Sequence, residues 1–269
     1  MEKLLAGKKG LIFGALDEKS IAWKVAEEAH REGATFVLTN APAAARMGSI
    51  GELAEQCDSV VIPADATSQD DLNHLISQSL ETLGGKIDFI LHSIGMSLNV
   101  RKGRHYTDVD YNYFHKTLDI SALSLHRVLQ ECMKQDAINE WGSVIALTYI
   151  ASQRVFPNYN DMAEAKSMLE SICRSFGYHY GMKRKVRINT VSQSPTDTTA
   201  GSKVDDFGEF LAYANAMSPL GNADARDCAR FCVALFSDLT HYITMQTIYH
   251  DGGFASTGMS DEVMHKILK

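Results

Sequence analysis

Short apolar runs and longer segments of mixed polarity alternate along the whole chain. The apolar runs predict buried strands at 9–13, 35–39, 60–63, 87–93, 143–148, 186–191 and 246–250. Continuous Val- and Ile-rich strands separated by helices are typical of a parallel sheet that is covered on both faces. We therefore predict an α/β fold, a doubly wound, Rossmann-like parallel sheet of about seven strands with helices on both faces.

The segments between the runs predict helices from their apolar spacing and from their start and stop signals. These segments lie at 21–32, 52–57, 70–83, 110–134 and 158–182. Gly33 is placed to end the first helix, and Ser68 is placed to cap the third. No linker, repeat or low-complexity stretch interrupts the series, so we predict one domain over residues 1–269.

One stretch, at about 195–220, breaks this rhythm because it follows a strand and has no strong period of its own. Ligands of open α/β sheets bind beyond the carboxyl ends of the strands. We expect this insertion to form a substrate-binding lid, and an ordinary surface excursion is the alternative.

The composition narrows the class of function. A hydrophobic content of 45% and a charged content of 22% fit a globular protein, and a net charge of -7 does not support nucleic-acid binding. No apolar run is long enough to span a membrane. The five cysteines are scattered, without the spacing of a disulfide framework or a metal site. We expect a reduced cytoplasmic enzyme with no metal and with no membrane or nucleic-acid partner.

The first β-α turn has the position of a dinucleotide site but only part of the usual signature. Gly14 is the single glycine in the turn that leads to Ser20 and Ile21, whereas the fingerprint has three glycines. Ser20 can either bond a phosphate or cap the helix. The second strand ends without an acidic residue for a ribose diol, and Arg46 follows as a candidate for a 2′-phosphate, so the choice between NADH and NADPH stays open.

Two further strand ends carry residues that suit a dinucleotide. Asp65, followed by Ala66, ends the third strand, where its carboxylate can accept from an adenine amino group or can serve a turn. The run Ser93, Ile94, Gly95 ends the fourth strand. A glycine there either permits close approach of a cofactor to the backbone or simply ends the strand.

Tyr159 and Lys166 are the most informative pair in the chain. Their spacing predicts that they face one side of the fifth helix, and Tyr149 precedes them. Together a phenol and an ammonium can donate a hydrogen bond to a substrate oxygen and hold a cofactor hydroxyl beside it. This combination suits reduction of a carbonyl-conjugated substrate by a nicotinamide cofactor, although the spacing alone is common in helices.

In this order and context, the residues resemble those of the NADH-dependent enoyl-acyl-carrier-protein reductases of bacterial fatty acid synthesis, a divergent branch of the short-chain dehydrogenase/reductase superfamily. The resemblance runs from about Leu5 to Phe254. Its most specific part is Tyr-x6-Lys after Tyr149; ordinary short-chain dehydrogenases use Tyr-x3-Lys, and position 163 is alanine. The resemblance implies hydride transfer from NADH to the double bond of a trans-2-enoyl thioester in type II fatty acid synthesis.

The resemblance also implies a role for each residue. Tyr159 would donate to the enolate oxygen, Lys166 would hold the nicotinamide ribose, and Tyr149 would line the pocket or assist proton delivery. The implied cofactor contacts are Gly14, Ser20, Ile21, Asp65, Ala66, Ser93, Ile94, Gly95, Lys166, Thr196 and Thr198. The implied substrate contacts are Met96, Tyr149, Tyr159, Met162, Ala200 and Phe207.

The same family implies a homotetramer, with 246–254 as a candidate interface, and a substrate carried by acyl carrier protein. An acidic carrier favours a basic docking surface, for which 183–187 is the strongest run; a solvated helix end is the equal alternative.

Two other functions stay as alternatives. A ketone or alcohol dehydrogenase is disfavoured by the missing Tyr-x3-Lys, and a non-catalytic dinucleotide-binding regulator is disfavoured because Tyr159 and Lys166 are both present.

Overall fold

The computed structural model of the protein describes residues 3–199 and 207–267. Its strands are β1 (Lys9–Phe13), β2 (Thr35–Thr39), β3 (Val60–Val61), β4 (Ile87–His92), β5 (Ile138–Thr148), β6 (Arg187–Gln193) and β7 (Thr247–His250). They form one sheet in the order β3-β2-β1-β4-β5-β6-β7, and every adjacent pair is parallel. The chain leaves β1 in one direction and returns to its other side at β4, which creates a switch point between these strands.

Helices connect these strands and cover both faces of the sheet, as predicted. They are α1 (Ile21–Arg31), α2 (Pro42–Met47), α3 (Ile50–Gln56), α4 (Gln69–Thr82), α5 (Leu98–Arg101), α6 (Tyr111–Leu118), α7 (Ser124–Lys134), α8 (Met162–Arg184), α9 (Phe207–Met217), α10 (Ala225–Phe236) and α11 (Asp261–Ile267). In the described part of the chain, no helix is both long and apolar enough to cross a membrane. The predicted doubly wound α/β fold is confirmed.

Two hydrophobic cores hold the helices against the sheet. On one face, α1, α3 and α10 pack around Trp23, and the rings of Phe89 and Phe236 stack with their centroids 4.6 Å apart. On the other face, α4, α7 and α8 bury leucines such as Leu75 and Leu169 against the strands. Each core forms because the strands are apolar on both sides, which explains their unbroken hydrophobic runs.

The predicted boundaries match the structure at β1 and β2 and differ at the other five strands, most of all at β5. β5 begins at Ile138 rather than at residue 143, because a register shift against β4 lets the polar residues before Ser143 join the strand. β3 is confined to Val60–Val61. The predicted helix start at Ser68 and stop at Gly33 agree with the structure. Ser68 accepts a hydrogen bond from the backbone N–H of Asp71, and Gly33 follows the end of α1 with a φ of 88°.

The helix predicted over 110–134 is interrupted by one wide turn. Asp110 caps α6, and a π-helical segment, Asp119–Leu123, joins α6 to α7. Such segments are frequent at functional sites. Here the hydroxyl of Ser121 accepts from the backbone N–H of Met96 at 2.9 Å, and Ser124 lies 2.9 Å from the buried ring of His92. The π segment thus fixes the backbone that follows β4.

Candidate active site

A cleft opens at the carboxyl ends of the central strands and consists of two adjoining cavities, of about 270 and 400 Å³. The smaller cavity lies between the ends of β5 and β6 and the start of α8. The larger one lies at the ends of β1, β2 and β3. Six of the predicted contact residues line both cavities: Ile21, Ser93, Ile94, Gly95, Met96 and Thr198.

Gly14 lets the ends of β1 and β4 touch beneath the larger cavity. Its φ is 96°, and a Cβ at this position would lie 2.0 Å from the carbonyl oxygen of Ser93. Its backbone N–H donates to the carbonyl oxygen of Thr39 at 3.0 Å. Because both the backbone conformation and the space require glycine, this single residue does part of what the usual glycine triplet does.

Ser20 stands at the N-cap position of α1, but its hydroxyl does not cap the helix. Instead it accepts hydrogen bonds from the backbone N–H groups of Leu16 and Asp17 at 3.1 and 3.0 Å. Of the two roles left open by the sequence, side-chain capping is therefore wrong. The hydroxyl braces the loop before α1, and the N–H groups at the start of the helix stay suited to an anionic ligand.

At the far end of the larger cavity, Asp65 and Ala66 lie beside Asn40. Asp65 is exposed and accepts from both the backbone N–H and the hydroxyl of Thr67, at 2.8 and 2.7 Å. Its carboxylate therefore serves a turn while also facing the cavity. Arg46 is exposed on α2 and is not among the described residues that line this cavity.

Tyr159 does not lie on the helix that carries Lys166, so the predicted shared helix face is wrong. A short 3-10 turn, Pro157–Tyr159, ends at the tyrosine. Asn160 then adopts a φ of 49° and a ψ of -139°, and α8 begins only at Met162. The pair still lines one cavity, because the break turns the chain before the helix starts.

Lys166 is buried in the first turns of α8. Its ammonium donates to the carbonyl oxygen of Leu147 at the end of β5, at 2.8 Å. Burial lowers the pKa of Lys166 to about 8, while the carboxylate of Glu170 acts to raise that pKa. Gly95 leaves room beside it, since a Cβ there would lie 3.6 Å from the ammonium nitrogen and 3.3 Å from Met162.

Tyr149 forms the apolar wall of the smaller cavity. Its ring centroid lies 5.2 Å from that of Tyr159, 5.3 Å from that of Phe156 and 6.1 Å from that of Phe210. Burial raises the pKa of both tyrosines, so both phenols stay protonated at neutral pH. Within residues 3–199 and 207–267, the buried hydroxyl of Tyr149 has no hydrogen-bond partner.

The loop after β6 closes the far side of the smaller cavity. Thr196 donates its hydroxyl hydrogen to the carbonyl oxygen of Ser194 at 2.9 Å, and Thr198 lines both cavities. Phe207, at the start of α9, also lines the smaller cavity. Ala200 and residues 201–206 of the predicted lid lie outside the described residues, whereas residues 195–199 and 207–220, which include α9, are described.

The family model described as Enoyl-(Acyl carrier protein) reductase matches residues 14–255. The chain belongs to the enoyl-acyl-carrier-protein reductase family. The resemblance drawn from Tyr-x6-Lys is therefore confirmed.

Curated and solved enoyl reductases agree with this assignment. The NADH enoyl-acyl-carrier-protein reductase 2 of Rhizobium meliloti is 32% identical over 96% of both chains, and the enzyme named FabI of Rickettsia bellii is 33% identical over 95% of this chain and 96% of its own. The crystal structure of a FabI-NADH complex from Alistipes finegoldii is 64% identical, with a TM-score of 0.96 over 97% of this chain and 93% of that one.

The cleft of this enoyl reductase also contains residues that the sequence did not single out. Arg101, at the end of α5, lines both cavities, and Gln193 ends β6 beside the smaller one. The end-of-strand position was a usable signal for Gln193. Arg101 offered none, because α5 reaches the cleft only through its packing. Asp161 was also missed, and its buried carboxylate contacts three distant side chains.

The basic run at 183–187 does not flank the cleft of the reductase. The run lies at the amino end of β6, whereas the cleft lies at the carboxyl ends of the strands, where Gln193 ends β6. Arg187 is 2% exposed and donates to the carbonyl oxygen of Leu235 and the hydroxyl of Thr240, each at 2.9 Å. Docking of a carrier by this run stays a prediction, in which Arg187 takes no part because it supports the core instead.

Over the described ranges, no group of three or more His, Cys, Asp or Glu side chains is arranged to hold a metal ion. His92 is fully buried, and that burial lowers its pKa to about 3, so its imidazole is neutral. It lies beneath the cleft as a packing and hydrogen-bonding residue.

Proposed function

We propose that this protein is an NADH-dependent enoyl-acyl-carrier-protein reductase that reduces the double bond of trans-2-enoyl thioesters in type II fatty acid synthesis. One observation carries the proposal. Tyr149, Tyr159 and Lys166 line a single cavity, which joins a second cavity with the position of a dinucleotide site. Family membership over residues 14–255 supports the same chemistry.

The cleft fits NADH in shape and charge. The larger cavity would take the adenosine half, with Asp65 and Ala66 at its end and the helix start at Ser20 near the pyrophosphate. Arg101 is the one basic side chain among the described residues that line it, and Arg46 lies apart. This lining supports NADH over NADPH. When bound, NADH supplies the hydride for the β-carbon of the enoyl group.

Tyr159 and Lys166 would stabilise the charge that develops on the thioester oxygen. The raised pKa of Tyr159 keeps its phenol protonated, so it can donate to that oxygen. Lys166 would hold the ribose hydroxyls, and its charge would favour the same enolate. Both interactions strengthen as negative charge grows, which is the condition for lowering the barrier.

The aromatic wall around Tyr149 would exclude water from the acyl chain. Tyr149 would line this pocket with Met96 and Met162, and its hydroxyl would be a second donor for the thioester. Thr196 and Thr198 would contact the nicotinamide side of the cofactor. The insertion at 195–220 would cover the substrate, and Phe207 supports this because it already lines the cavity.

Partners and location complete the proposal. The acyl carrier protein would deliver the enoyl chain. The relatives support this, because their names give an enoyl-acyl-carrier-protein as the substrate. A homotetramer in the cytoplasm would be the working form. The edge position of β7 and the 40% exposure of Tyr249 support an interface along this strand.

The function is tested by following NADH oxidation with crotonyl thioester and, separately, with acetoacetyl thioester. Oxidation with crotonyl thioester alone is expected. Oxidation with acetoacetyl thioester alone would favour the ketone reductase instead. Oxidation with neither substrate, alongside normal NADH binding, would favour the non-catalytic regulator.

A further inference from the structure

Asp161 is a fully buried carboxylate that lies between Tyr159 and Lys166 in the sequence. One of its oxygens accepts from the hydroxyl of Ser97 at 2.5 Å. The other accepts from the amide of Asn99 at 2.8 Å and from the hydroxyl of Thr117 at 2.9 Å. In the described part of the chain it makes no ion pair. A buried polar group without hydrogen-bond partners is costly, and these three hydrogen bonds satisfy the carboxyl group of Asp161.

One of the three donors, Ser97, belongs to the wall of the cleft. Ser97 and Val100 line the smaller cavity, and the hydroxyl of Ser97 also accepts from the backbone N–H of Val100 at 3.0 Å. The amide oxygen of Asn99 accepts from the backbone N–H of Asp110 at 3.0 Å. Asp161 therefore fastens the segment after β4, together with α6, to the start of α8.

The backbone beside Asp161 needs such an anchor. Asn160 combines a φ of 49° with a ψ of -139°, a conformation that residues other than glycine adopt only when their surroundings impose it. Its side-chain amide donates to the carbonyl oxygen of Arg104 at 2.8 Å, and its side-chain oxygen accepts from the backbone N–H of Asp161 at 2.8 Å. Because Tyr159 precedes this break, the regular geometry of α8 does not determine where its phenol lies.

We propose that Asp161 is a positioning residue, whose buried hydrogen bonds to Ser97, Asn99 and Thr117 hold the turn that aims Tyr159 into the cleft. The inference rests on the proposed function, because the phenol of Tyr159 is the group that is positioned. Asp161 touches neither cofactor nor substrate in this account. It acts only through the turn.

A double-mutant cycle separates positioning from general support of the fold. Asp161→Ala is expected to lower kcat by roughly tenfold to a hundredfold, since small displacements of a catalytic group cost that much. In a Tyr159→Phe background the same substitution is expected to change kcat by less than about twofold, because the positioned hydroxyl is already absent. Equal losses in both backgrounds would overturn the proposal.

Glu131 supplies a matched control. Its carboxylate is 2% exposed on α7 and also accepts from side-chain amides, those of Asn73 and Gln135, each at 3.0 Å. It does not line either cavity. Glu131→Ala should reduce thermal stability as Asp161→Ala does, yet change kcat by less than about threefold. A comparable loss of kcat in Glu131→Ala would overturn the specific role of Asp161.

The position of Tyr159 can also be followed without any turnover. In protein labelled with 3-fluorotyrosine, the ¹⁹F resonance of Tyr159, one of ten tyrosines, is assigned by its loss in Tyr159→Phe. Asp161→Ala should shift or broaden this resonance, and Glu131→Ala should leave it in place. An unmoved resonance in Asp161→Ala would overturn the proposal. This result stands even if the unsubstituted protein fails to reduce crotonyl thioester, which would overturn only the proposed function.

Asp161→Asn keeps the test decisive if the alanine variant does not fold. The asparagine keeps one oxygen for Asn99 and Thr117 but loses the oxygen that accepts from Ser97, whose hydroxyl already accepts from the backbone N–H of Val100. A folded protein with a displaced Tyr159 resonance and a smaller fall in kcat than Asp161→Ala is expected. A Tyr159 resonance that stays at its original position would overturn the proposal here too.

Discussion

Replacing Lys166 with methionine should abolish activity and at the same time stabilise the protein. Lys166 is 6% exposed, and its burial lowers the pKa of its ammonium from 10.5 to about 8. An apolar side chain of similar length would occupy the same space without a buried charge. The substitution therefore separates the contribution of Lys166 to activity from its contribution to stability.

The size of the effect follows from the pKa of Lys166. The fall from 10.5 to about 8 corresponds to a cost of about 3 kcal/mol for keeping the ammonium charged below pH 8. Methionine also removes the hydrogen bond to Leu147, which stabilises the fold by about 1 kcal/mol. The loss of the desolvation cost outweighs the loss of the bond, so Lys166→Met should gain about 2 kcal/mol at pH 7.

The sign of the pH dependence provides a second check. Between pH 8 and 10.5 the unfolded lysine binds more protons than the folded one, so the unsubstituted protein gains stability as pH rises. Lys166→Met should lack this gain in the free energy of unfolding. The difference in stability between the two proteins should therefore shrink as pH rises from 8 to 10.5. In the same way, kcat should fall above about pH 8 as the ammonium loses its proton.

Urea unfolding at pH 7 and at pH 10 measures these quantities, with activity recorded on the same samples. Lys183→Met, an exposed lysine near the end of α8, is the matched control and should alter neither stability nor rate. The reasoning is refuted if Lys166→Met is less stable than the unsubstituted protein at pH 7. It is also refuted if the two proteins keep the same difference at both pH values.

Three further perturbations test other parts of the site. Tyr159→Phe should lower kcat by roughly two to three orders of magnitude while calorimetry shows an unchanged Kd for NADH, because the lost donor acts only on the developing charge. Gly14→Ala should abolish NADH binding in the same titration and destabilise the fold by about 3 kcal/mol, because its Cβ would lie 2.0 Å from the carbonyl oxygen of Ser93. His92 is held neutral by a pKa of about 3, so the protein should lose about 2 kcal/mol of stability as pH falls from 6.5 to 4.5. Urea unfolding of His92→Gln should show a smaller loss of stability over the same pH range.

The central strands were predictable because they are buried on both faces. A parallel strand in such a sheet is apolar along its length, so the runs at β1, β2 and β4 mark it without ambiguity. The polar start of β5 carries no such mark. It joins the sheet only because β5 bulges against β4, so that Ile138 pairs with Ile87 and Ser143 with Phe89, which is a tertiary effect.

The sequence was enough to predict which residues line the site but not how they are arranged in space. The residues at strand ends meet because parallel strands end at one edge of the sheet. The break before α8 was not predictable, since residues 158–161 are compatible with a helix. Its cause is a set of bonds from Asp161 to Thr117 and Ser97, which lie 44 and 64 positions away. Arg187 was mistaken for a surface charge for the same reason, because its carbonyl partner at Leu235 is 48 positions downstream.

The most direct test of the account is the fate of deuterium from NADH labelled at the transferable position. With crotonyl thioester, the predicted product is butyryl thioester with one deuterium on its β-carbon and a solvent proton on its α-carbon, as detected by mass spectrometry and NMR. Deuterium found only in the hydroxyl-bearing carbon of a product from acetoacetyl thioester, with crotonyl thioester left unchanged, would contradict it.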